Sequence, residues 1–479
     1  MRRALVPSLL PSLLFLLLML PNVSVAQQAE TAPRSATTDA MPPPPAWLGE
    51  LDALYDARIR VAGLDDRMFS PEHWWDVAGP LATEAHGFQV EEVGSSAEGR
   101  PLRHVSWGQG GKSVLLWSQM HGDESTASMA LADLFRFLGE HPDHPVAQRL
   151  RQGTTLHVLP IMNPDGAARF QRRNAQGIDV NRDARALASP EALALHALRE
   201  RVQPEFGFNL HDQQVGYRAG ESDRGTAIAL LAPAFNEARD VDATRTRAIE
   251  VAVAIRAVLE PYIGGHIAKW DDTYNPRAFG DLTAKAGVST VLIESGGIEG
   301  DPQKQRLRKL NFLALVGALD AIATGTHAGL PGARYEELPE NGKVWRDLLI
   351  AGGTLALPGQ PQAKVDLLVN FEHPLLERDG TIADIGDLGD TRARRTIDAS
   401  GLYIVPFDRV PFDSVPSDSV PSDSAPSDSA GAGTEHARRT LAPDMPAYFH
   451  LSRDPQGRDI VWTLAGDVDP AKPGPAKVR

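Results

Sequence analysis

The fold is decided by the stretch VLLWSQMHGDESTASMALADLFRFLG, residues 114–139. Its first part, residues 114–119, is a short apolar run of the length of a strand that is covered on both faces. Its second part repeats apolar residues at helical spacing over residues 127–138. Ser125 or the threonine after it can be the N-cap, and Gly139 can end the helix. The stretch therefore predicts a buried strand, a polar loop and a helix.

Four further apolar runs predict strands of the same kind. They span residues 155–161, 206–210, 226–231 and 288–293. Continuous apolar runs are typical of strands with helices on both faces, and helical patterns alternate with these runs. The sequence predicts an α/β domain over residues 46–327, with a mixed, mostly parallel central sheet flanked by helices.

The residues after this α/β part have a different character. Gly- and Pro-punctuated segments, such as residues 365–371 and 402–405, predict a smaller β-rich domain over residues 328–479. Within it, residues 406–434 contain a five-residue Pro/Ser/Asp repeat with almost no apolar surface to offset its ordering entropy. We expect the repeat to be a disordered loop and residues 447–464 to be ordered again.

The N-terminus resembles a signal peptide over residues 1–26. Two arginines, a leucine-rich run and the small residues Ser24-Val-Ala26 follow one another in the order of an export signal. Residues 27–45 are rich in Ala, Thr and Pro and predict a disordered leader. No later run reaches the roughly 20 apolar residues that a membrane-spanning helix needs. We expect an exported protein, periplasmic or secreted, without a membrane anchor.

Composition narrows the chemistry. The 479 residues include no cysteine, which excludes disulfides, thiolate metal sites and a cysteine nucleophile. The formal net charge of −14 becomes −16 when Arg2 and Arg3 of the signal are removed. A chain this acidic is not expected to bind nucleic acid or an anionic surface through bulk electrostatics. Any metal must be held by histidine and carboxylate side chains.

Isolated ionisable residues follow three of the predicted strands. His121 and Glu124 lie three apart in the loop after the first strand, while His211 and Glu294 each end an apolar run. Ligands of open α/β sheets bind at the carboxyl ends of the strands. A carboxylate buried there needs a metal or another cation as partner. Two imidazoles and one carboxylate match a catalytic zinc site, which keeps a fourth position for water.

Polar motifs lie between these residues in a specific order. The chain contains Asn163-Pro-Asp-Gly166, then Arg172-Arg-Asn174 and Asp179-Val-Asn181-Arg182. Together with His-x-x-Glu before them and the strand-terminal His and Glu after them, these motifs resemble the zinc carboxypeptidase family, the carboxypeptidase A-like peptidases of M14 type. The resemblance covers roughly residues 70 to 325 and implies the α/β fold of that family.

The resemblance implies a role for each residue near the metal. His121, Glu124 and His211 would bind one Zn²⁺ per chain. Asp179 would orient the His121 ring from behind, as ligating imidazoles usually require. Glu294 would be the general base that takes a proton from water and passes it to the leaving amine.

The resemblance also implies residues that contact the substrate. Arg172 would stabilise the oxyanion, with Arg173 as the alternative, because only the Arg-x-Asn spacing sets the register. Asn181 and Arg182 would bind the terminal carboxylate, since a guanidinium can donate two parallel N–H bonds to it. Tyr274 would be the mobile tyrosine that covers the substrate, with a surface loop tyrosine as the alternative.

The chain departs from the family pattern beside the proposed carboxylate-binding pair. Asp183 follows Arg182 where many relatives have Asn, so that its carboxylate could repel a substrate carboxylate or pair with Arg185. Gly280 lies where the family often sets side-chain preference, and a glycine has no charge to select basic or acidic termini. The side-chain preference therefore stays open.

These observations favour a zinc-dependent metallocarboxypeptidase that hydrolyses C-terminal bonds of peptide or peptide-like substrates. An amidase or deacylase on the same scaffold, acting on murein stem peptides or N-acyl amino acids, stays an alternative because of Asp183 and Gly280. A zinc-binding protein without turnover is disfavoured, because binding alone would not need both Glu294 and Arg172.

Overall fold

The computed structural model describes residues 40–342, 344–407 and 440–464. The predicted signal peptide, most of the predicted leader and the repeat from residue 408 onward lie outside these residues. No helix of the described ranges is both long enough and apolar enough to cross a bilayer.

The described part of the chain has ten α-helices. They are α1 (Leu48–Leu54), α2 (Pro71–Ala78), α3 (Thr126–Glu140), α4 (Pro145–Gly153), α5 (Pro164–Ala168), α6 (Pro190–Val202), α7 (Ala243–Ile263), α8 (Phe279–Lys285), α9 (Gln305–Thr324) and α10 (Ala333–Glu336).

The central sheet has eight strands, and they include every strand predicted in the α/β part. The strands are β1 (Phe88–Ser95), β2 (Pro101–Gly108), β3 (Lys112–Ser118), β4 (Thr154–Leu159), β5 (Phe206–Asp212), β6 (Ile228–Leu231), β7 (Ile267–Lys269) and β8 (Ser289–Ser295). Their order is β1-β2-β4-β3-β5-β8-β6-β7. The neighbours β4/β3, β3/β5, β5/β8 and β6/β7 are parallel, which confirms the predicted mixed, mostly parallel sheet.

The second sheet has seven strands and follows the first in the chain. The strands are β9 (Arg346–Leu355), β10 (Ala363–His373), β11 (Arg378–Gly386), β12 (Ala393–Asp398), β13 (Tyr403–Pro406), β14 (Phe449–Ser452) and β15 (Ile460–Leu464). Their order is β11-β10-β9-β13-β14-β15, with β12 paired to β9. The predicted β-rich character of this part is confirmed, whereas the exact domain boundaries stay a prediction.

The continuous apolar runs form strands that are covered on both faces, as the sequence predicted. On β3, Val114 and Leu116 pack into a large core that includes residues of α3, α7 and α9. Leu115 and Trp117 point to the other face and pack into a separate core with residues of α6 and α8. Both faces of the sheet are covered, so consecutive residues are all apolar.

The ends of α3 differ from the prediction. The Ser125 side chain does not cap the helix, because its hydroxyl donates to the carbonyl oxygen of Arg67 at 2.7 Å. Gly139 lies inside the helix, which continues to Glu140, and the following residue His141 is the C-cap. A tertiary contact thus replaces the side-chain cap at the N-terminal end, while the C-terminal end lies two residues beyond the predicted one.

Candidate active site

The candidate site is built at the carboxyl ends of three adjacent parallel strands. On β5 and β8, His211 and Glu294 are register partners, so the backbone places them side by side. On the other side of β5, Ser118 at the end of β3 is the partner of Leu210. The loop after Ser118 therefore leaves the sheet beside His211, and this loop contains His121 and Glu124.

The loop that bears His121 is held by the Asn-Pro-Asp-Gly motif. The backbone N–H of Asn163 donates to the carbonyl oxygen of Gln119 at 3.1 Å. The side-chain oxygen of Asn163 accepts from the Gly166 N–H at 2.8 Å and so caps α5. A Cβ at Gly122 would lie only 2.0 Å from the carbonyl carbon of Gly166, so the two segments approach too closely for any other residue. The motif is structural and supports the loop.

His121, Glu124 and His211 form one tight, buried group. The distance from His121 Nδ1 to Glu124 Oε1 is 2.7 Å, and that from His211 Nδ1 to Glu124 Oε2 is also 2.7 Å. One ligand atom of each residue lies within 4.8 Å of the others. Burial alone would lower the pKa of His121, but the Glu124 and Asp179 carboxylates raise it to about 9. The carboxylates thus favour a positive charge between these side chains.

The outer nitrogens of both histidines have polar neighbours. His121 Nε2 lies 3.1 Å from Asp179 Oδ1, in the orienting position that was predicted for Asp179. His211 Nε2 lies 3.2 Å from Asn181 Nδ2, and Asn181 Oδ1 accepts from the Phe279 N–H at 3.0 Å. The amide oxygen of Asn181 is therefore used by the protein, whereas its Nδ2 atom keeps a second N–H group.

Glu294 is buried beside this group without a hydrogen-bond partner for one of its oxygens. Within the described residues nothing pairs with its Oε2 atom. Burial, and then the nearby Glu124 carboxylate, raise the pKa of Glu294 well above its usual range. A buried, unpartnered carboxylate oxygen is costly in a folded protein and indicates a ligand or a catalytic task.

The two candidate arginines differ clearly in position. Arg172 Nη1 lies 3.1 Å from His121 Nδ1 and 3.3 Å from Glu124 Oε1, while its Nη2 donates to Asp179 Oδ2 at 2.9 Å. Arg173 is exposed and donates to the carbonyl oxygen of Gly177 at 2.9 Å. The placement therefore favours Arg172 over Arg173 as the arginine of the site.

Arg182 and Tyr274 line the same cavity as the candidate metal ligands. Arg182 Nη1 donates to the carbonyl oxygen of Asn181 at 2.9 Å, so only part of its guanidinium is used by the protein. The buried Tyr274 hydroxyl has no hydrogen-bond partner among the residues described. Asp281 lines the cavity too, and burial raises the pKa of its carboxyl to about 6.

Asp183 has neither of the roles considered from the sequence. Its carboxylate is buried and accepts from the N–H groups of Ala188 and Ser189 at 3.0 and 2.7 Å. It also accepts from the Ser189 hydroxyl at 2.8 Å, beside the start of α6. These three donors satisfy the carboxylate, while Arg185 is exposed. Asp183 therefore stabilises the chain before α6 and is not free to repel a substrate.

A buried charge network behind His211 was missed from the sequence. Lys304 Nζ donates to Asp212 Oδ2 at 2.8 Å and to the carbonyl oxygen of Ser295 at 3.1 Å. Thr126 Oγ1 donates to the same Asp212 oxygen at 2.7 Å, and Arg67 lies 3.4 Å from it. Lys304 and Asp212 have no spacing pattern that singles them out. The only sequence signal is an acidic residue directly after His211.

The donor set fits a zinc ion. Two imidazole nitrogens and a carboxylate converge in a buried group, and the outer nitrogen of each ring is close to a polar side chain. Glu294 adds an unpartnered oxygen at the same sheet edge. His121, Glu124 and His211 thus form a buried group that could hold the metal.

Comparison with known proteins gives one family. Residues 81–208 match the model of the zinc carboxypeptidase family, which confirms the resemblance seen in the motifs. The match includes His121 and Glu124 and ends before His211 and Glu294.

Among curated proteins, an uncharacterized protein of Zymomonas mobilis is 29% identical over 150 residues, which cover 30% of this chain and 39% of that protein. A carboxypeptidase of Arabidopsis thaliana is 35% identical over 65 residues, 13% of each chain. The chain thus matches well under half the length of these relatives.

Solved structures with a similar fold include two bacterial metallo-carboxypeptidases. The one from Burkholderia cenocepacia has 22% identity and a TM-score of 0.42, covering 54% of this chain and 70% of that one. The one from Pseudomonas aeruginosa, solved with (2-guanidinoethylmercapto)succinic acid, has 19% identity and a TM-score of 0.41 at the same coverage.

Proposed function

We propose that this chain, whose residues 81–208 match the zinc carboxypeptidase family, is a zinc-dependent metallocarboxypeptidase that releases C-terminal residues from peptides. One observation supports this most strongly. A buried His-Glu-His group lies beside a carboxylate oxygen of Glu294 that has no hydrogen-bond partner among the described residues. Metal ligands and an available base within one cavity are what water-dependent hydrolysis of an amide requires.

The metal would be held by His121, Glu124 and His211, with one zinc ion per chain. Bound there, zinc supplies a Lewis acid that polarises the scissile carbonyl and lowers the pKa of water. Asp179 keeps the His121 ring in place from behind. Asn181 faces His211 Nε2 with its amide nitrogen, which cannot accept a ring N–H, so we keep Asn181 with Arg182 as a residue that binds the terminal carboxylate.

The remaining steps rest on three side chains of the cavity. Glu294 accepts a proton from the attacking water on its free Oε2 atom and passes that proton to the leaving amine. Arg172, 44% of whose side chain is exposed, donates N–H groups to the oxyanion that develops on the carbonyl. Arg182 binds the terminal carboxylate with the N–H groups that the protein does not use, and Tyr274 covers the substrate through its unpaired hydroxyl.

A peptide digest tests this function. A library of unblocked peptides is incubated with the full-length protein, and the products are identified by mass spectrometry. We expect free C-terminal amino acids, no release after treatment with a chelator, and recovery of release when zinc is added back. Hydrolysis of N-acyl amino acids or murein stem peptides, with all unblocked peptides left intact, would instead support the amidase alternative.

We also propose that the protein is exported. The support is the order of positive, apolar and small residues over residues 1–26. N-terminal sequencing of the mature protein from the periplasm or the medium should give a start near Gln27. A mature protein that still begins at Met1 would contradict export through this signal.

A further inference from the structure

The cavity of the candidate active site is shared by both sheets of the protein. Its volume is about 870 Å³, and its lining includes the metal-binding group and Glu294. The lining also includes residues at the start of β9 and at the end of β10 with the turn after it, namely Trp345, Asp347, Asn370, Phe371, Glu372 and Pro374. We call residues 344–347 and 370–374 the wall.

One side of the wall is fixed to the loop after β5. The backbone N–H of Trp345 donates to the carbonyl oxygen of Gly216 at 2.8 Å. A Cβ at Gly216 would lie 2.4 Å from the Trp345 carbonyl oxygen, so this contact requires glycine. The buried Arg218 guanidinium stacks 3.9 Å from the centre of the Trp345 ring, which adds a cation–π contact. Trp345 is thus held by a hydrogen bond, a close backbone approach and a cation–π contact.

The other side of the wall reaches across to the segments that hold Arg172 and Glu294. The His373 ring packs 5.7 Å from the ring of Phe170, two residues before Arg172. Phe170 lies in turn under the Arg67 guanidinium at 5.1 Å. In the turn between β10 and β11, Leu375 is near Gly297, where an added Cβ would lie 3.4 Å from Leu375 Cδ2. The wall therefore contacts both sides of the cleft.

We infer that the wall limits the substrates of this enzyme to short peptides and discriminates against long chains. The inference rests on the proposed function and adds the substrate class to it. A volume of about 870 Å³ is in the range of pockets that enclose small ligands. The wall cannot move away without losing its contacts with Gly216 and Phe170 at the two edges of the cleft. A long chain therefore meets the wall before its last peptide bond reaches Glu294.

A length series tests this inference. Peptides of two, three, five and ten residues share the same two C-terminal residues, and kcat/KM is measured for each with the full-length protein. We expect kcat/KM to be lower by at least about tenfold for the ten-residue peptide than for the tripeptide, because misplacing the scissile bond by an ångström is enough to cost this much.

A shortened turn identifies the wall as the cause. Replacing residues 374–377 by Asn-Gly gives β10 and β11 a two-residue hairpin turn, removes Pro374 from the cavity lining and removes Leu375 from its place near Gly297. We expect the ratio of kcat/KM between tripeptide and ten-residue peptide to fall towards one. The matched control replaces residues 358–361, between β9 and β10, by Asn-Gly, because these residues do not line the cavity; its ratio should equal that of the unmodified protein.

The outcomes separate the two proposals. If no peptide of any length is hydrolysed, the proposed function is wrong and the inference falls with it. If all lengths are hydrolysed with equal kcat/KM, the function stands and the inference is overturned. An unchanged length ratio in the shortened-turn variant also overturns it. If that variant does not fold, the length series on the unmodified protein still tests whether long peptides are hydrolysed more slowly than short ones.

Discussion

Two buried charge clusters in the α/β part differ in how far their polar atoms are satisfied. In the first, Asp133 on α3 accepts from Arg308 Nε and Nη2 at 2.7 and 2.6 Å. Its two oxygens also accept from the Tyr55 hydroxyl at 2.9 Å and the Val61 N–H at 2.8 Å. Arg308 gives its other N–H groups to the carbonyl oxygens of Val61 and Leu64 at 2.8 Å. Every charge there has its partner.

The second cluster, at the candidate active site, is incomplete. Glu124 is shared between His121 and His211, and Glu294 beside them has an oxygen without a partner in the described part of the chain. A buried cluster whose groups satisfy one another holds a fold together, whereas one with an unpaired acid costs stability until a ligand arrives. We therefore interpret the cluster of Asp133 and Arg308 as structural and the cluster of Glu124 and Glu294 as functional.

Replacing the unpaired acid should produce the largest effect. We expect Glu294→Gln to reduce kcat by about 1,000-fold, because a positioned general base contributes this much. The free energy of unfolding should stay equal or rise, because the substitution removes a buried, unpaired carboxylate. Steady-state kinetics and chemical unfolding of the same preparation measure both. A full rate in this variant would remove Glu294 from the mechanism.

In the cluster of Asp133 and Arg308, whose polar atoms all have partners, we expect a substitution to lower the stability of the fold. Asp133→Asn leaves the buried Arg308 without its counter-charge and should lower the free energy of unfolding by about 3–5 kcal/mol. The double variant Asp133→Leu/Arg308→Met, which removes both charges, should recover much of this loss and serves as the control. A loss below about 1 kcal/mol, which is typical of exposed ion pairs, would contradict the contrast between the clusters.

Adjacent arginines offer a matched pair at the edge of the functional cluster. Arg172→Ala should lower kcat by about 100-fold or more, the size of effect seen when one oxyanion donor is lost. Arg173→Ala should leave kcat close to that of the unmodified protein, because its exposed guanidinium donates to the backbone at Gly177 and to no other group of the described residues. Equal losses of kcat in both variants would show that the positive charge near the cavity matters, and not the contact of Arg172 with His121 and Glu124.

A smaller effect is expected for Asp281, a half-buried acid of the cavity that lies outside both clusters. Burial raises the pKa of its carboxyl from 3.8 to about 6. The folded state therefore holds a proton there between about pH 4 and 6, and stability is lost as pH rises through this window. We expect the free energy of unfolding of Asp281→Asn to exceed that of the unmodified protein by about 1–3 kcal/mol at pH 7 and to be almost equal to it at pH 4.

Unfolding free energies at pH 4, 5 and 7 provide the measurement for Asp281. The conservative variant Asp281→Glu, which keeps the acid, should retain the pH dependence. A gain that is the same at all three values would mean that the carboxyl titrates normally in the folded protein.

The sequence predicted the sheet, and it pointed to the His-Glu-His group that could hold a metal, because both leave a local pattern. Strands covered on both faces are continuous apolar runs, and the residues that end them, His211 and Glu294, fall together by parallel register. The ends of α3 and the role of Asp183 were not predictable, because distant donors and acceptors set them. No sequence pattern predicted that the wall lines the cavity. It forms where a second sheet, with its own core, meets the cleft.

The central claim is that the unsatisfied cluster is a zinc site, and the zinc content of purified protein tests it most directly. Elemental analysis after dialysis against zinc should give one zinc ion per chain in the unmodified protein and in Glu294→Gln, which keeps all three ligands. The variant His211→Ala should bind no zinc, while Asp133→Asn should still bind it if folded. An unmodified protein without zinc, or a His211→Ala variant that keeps a full equivalent, would contradict the account.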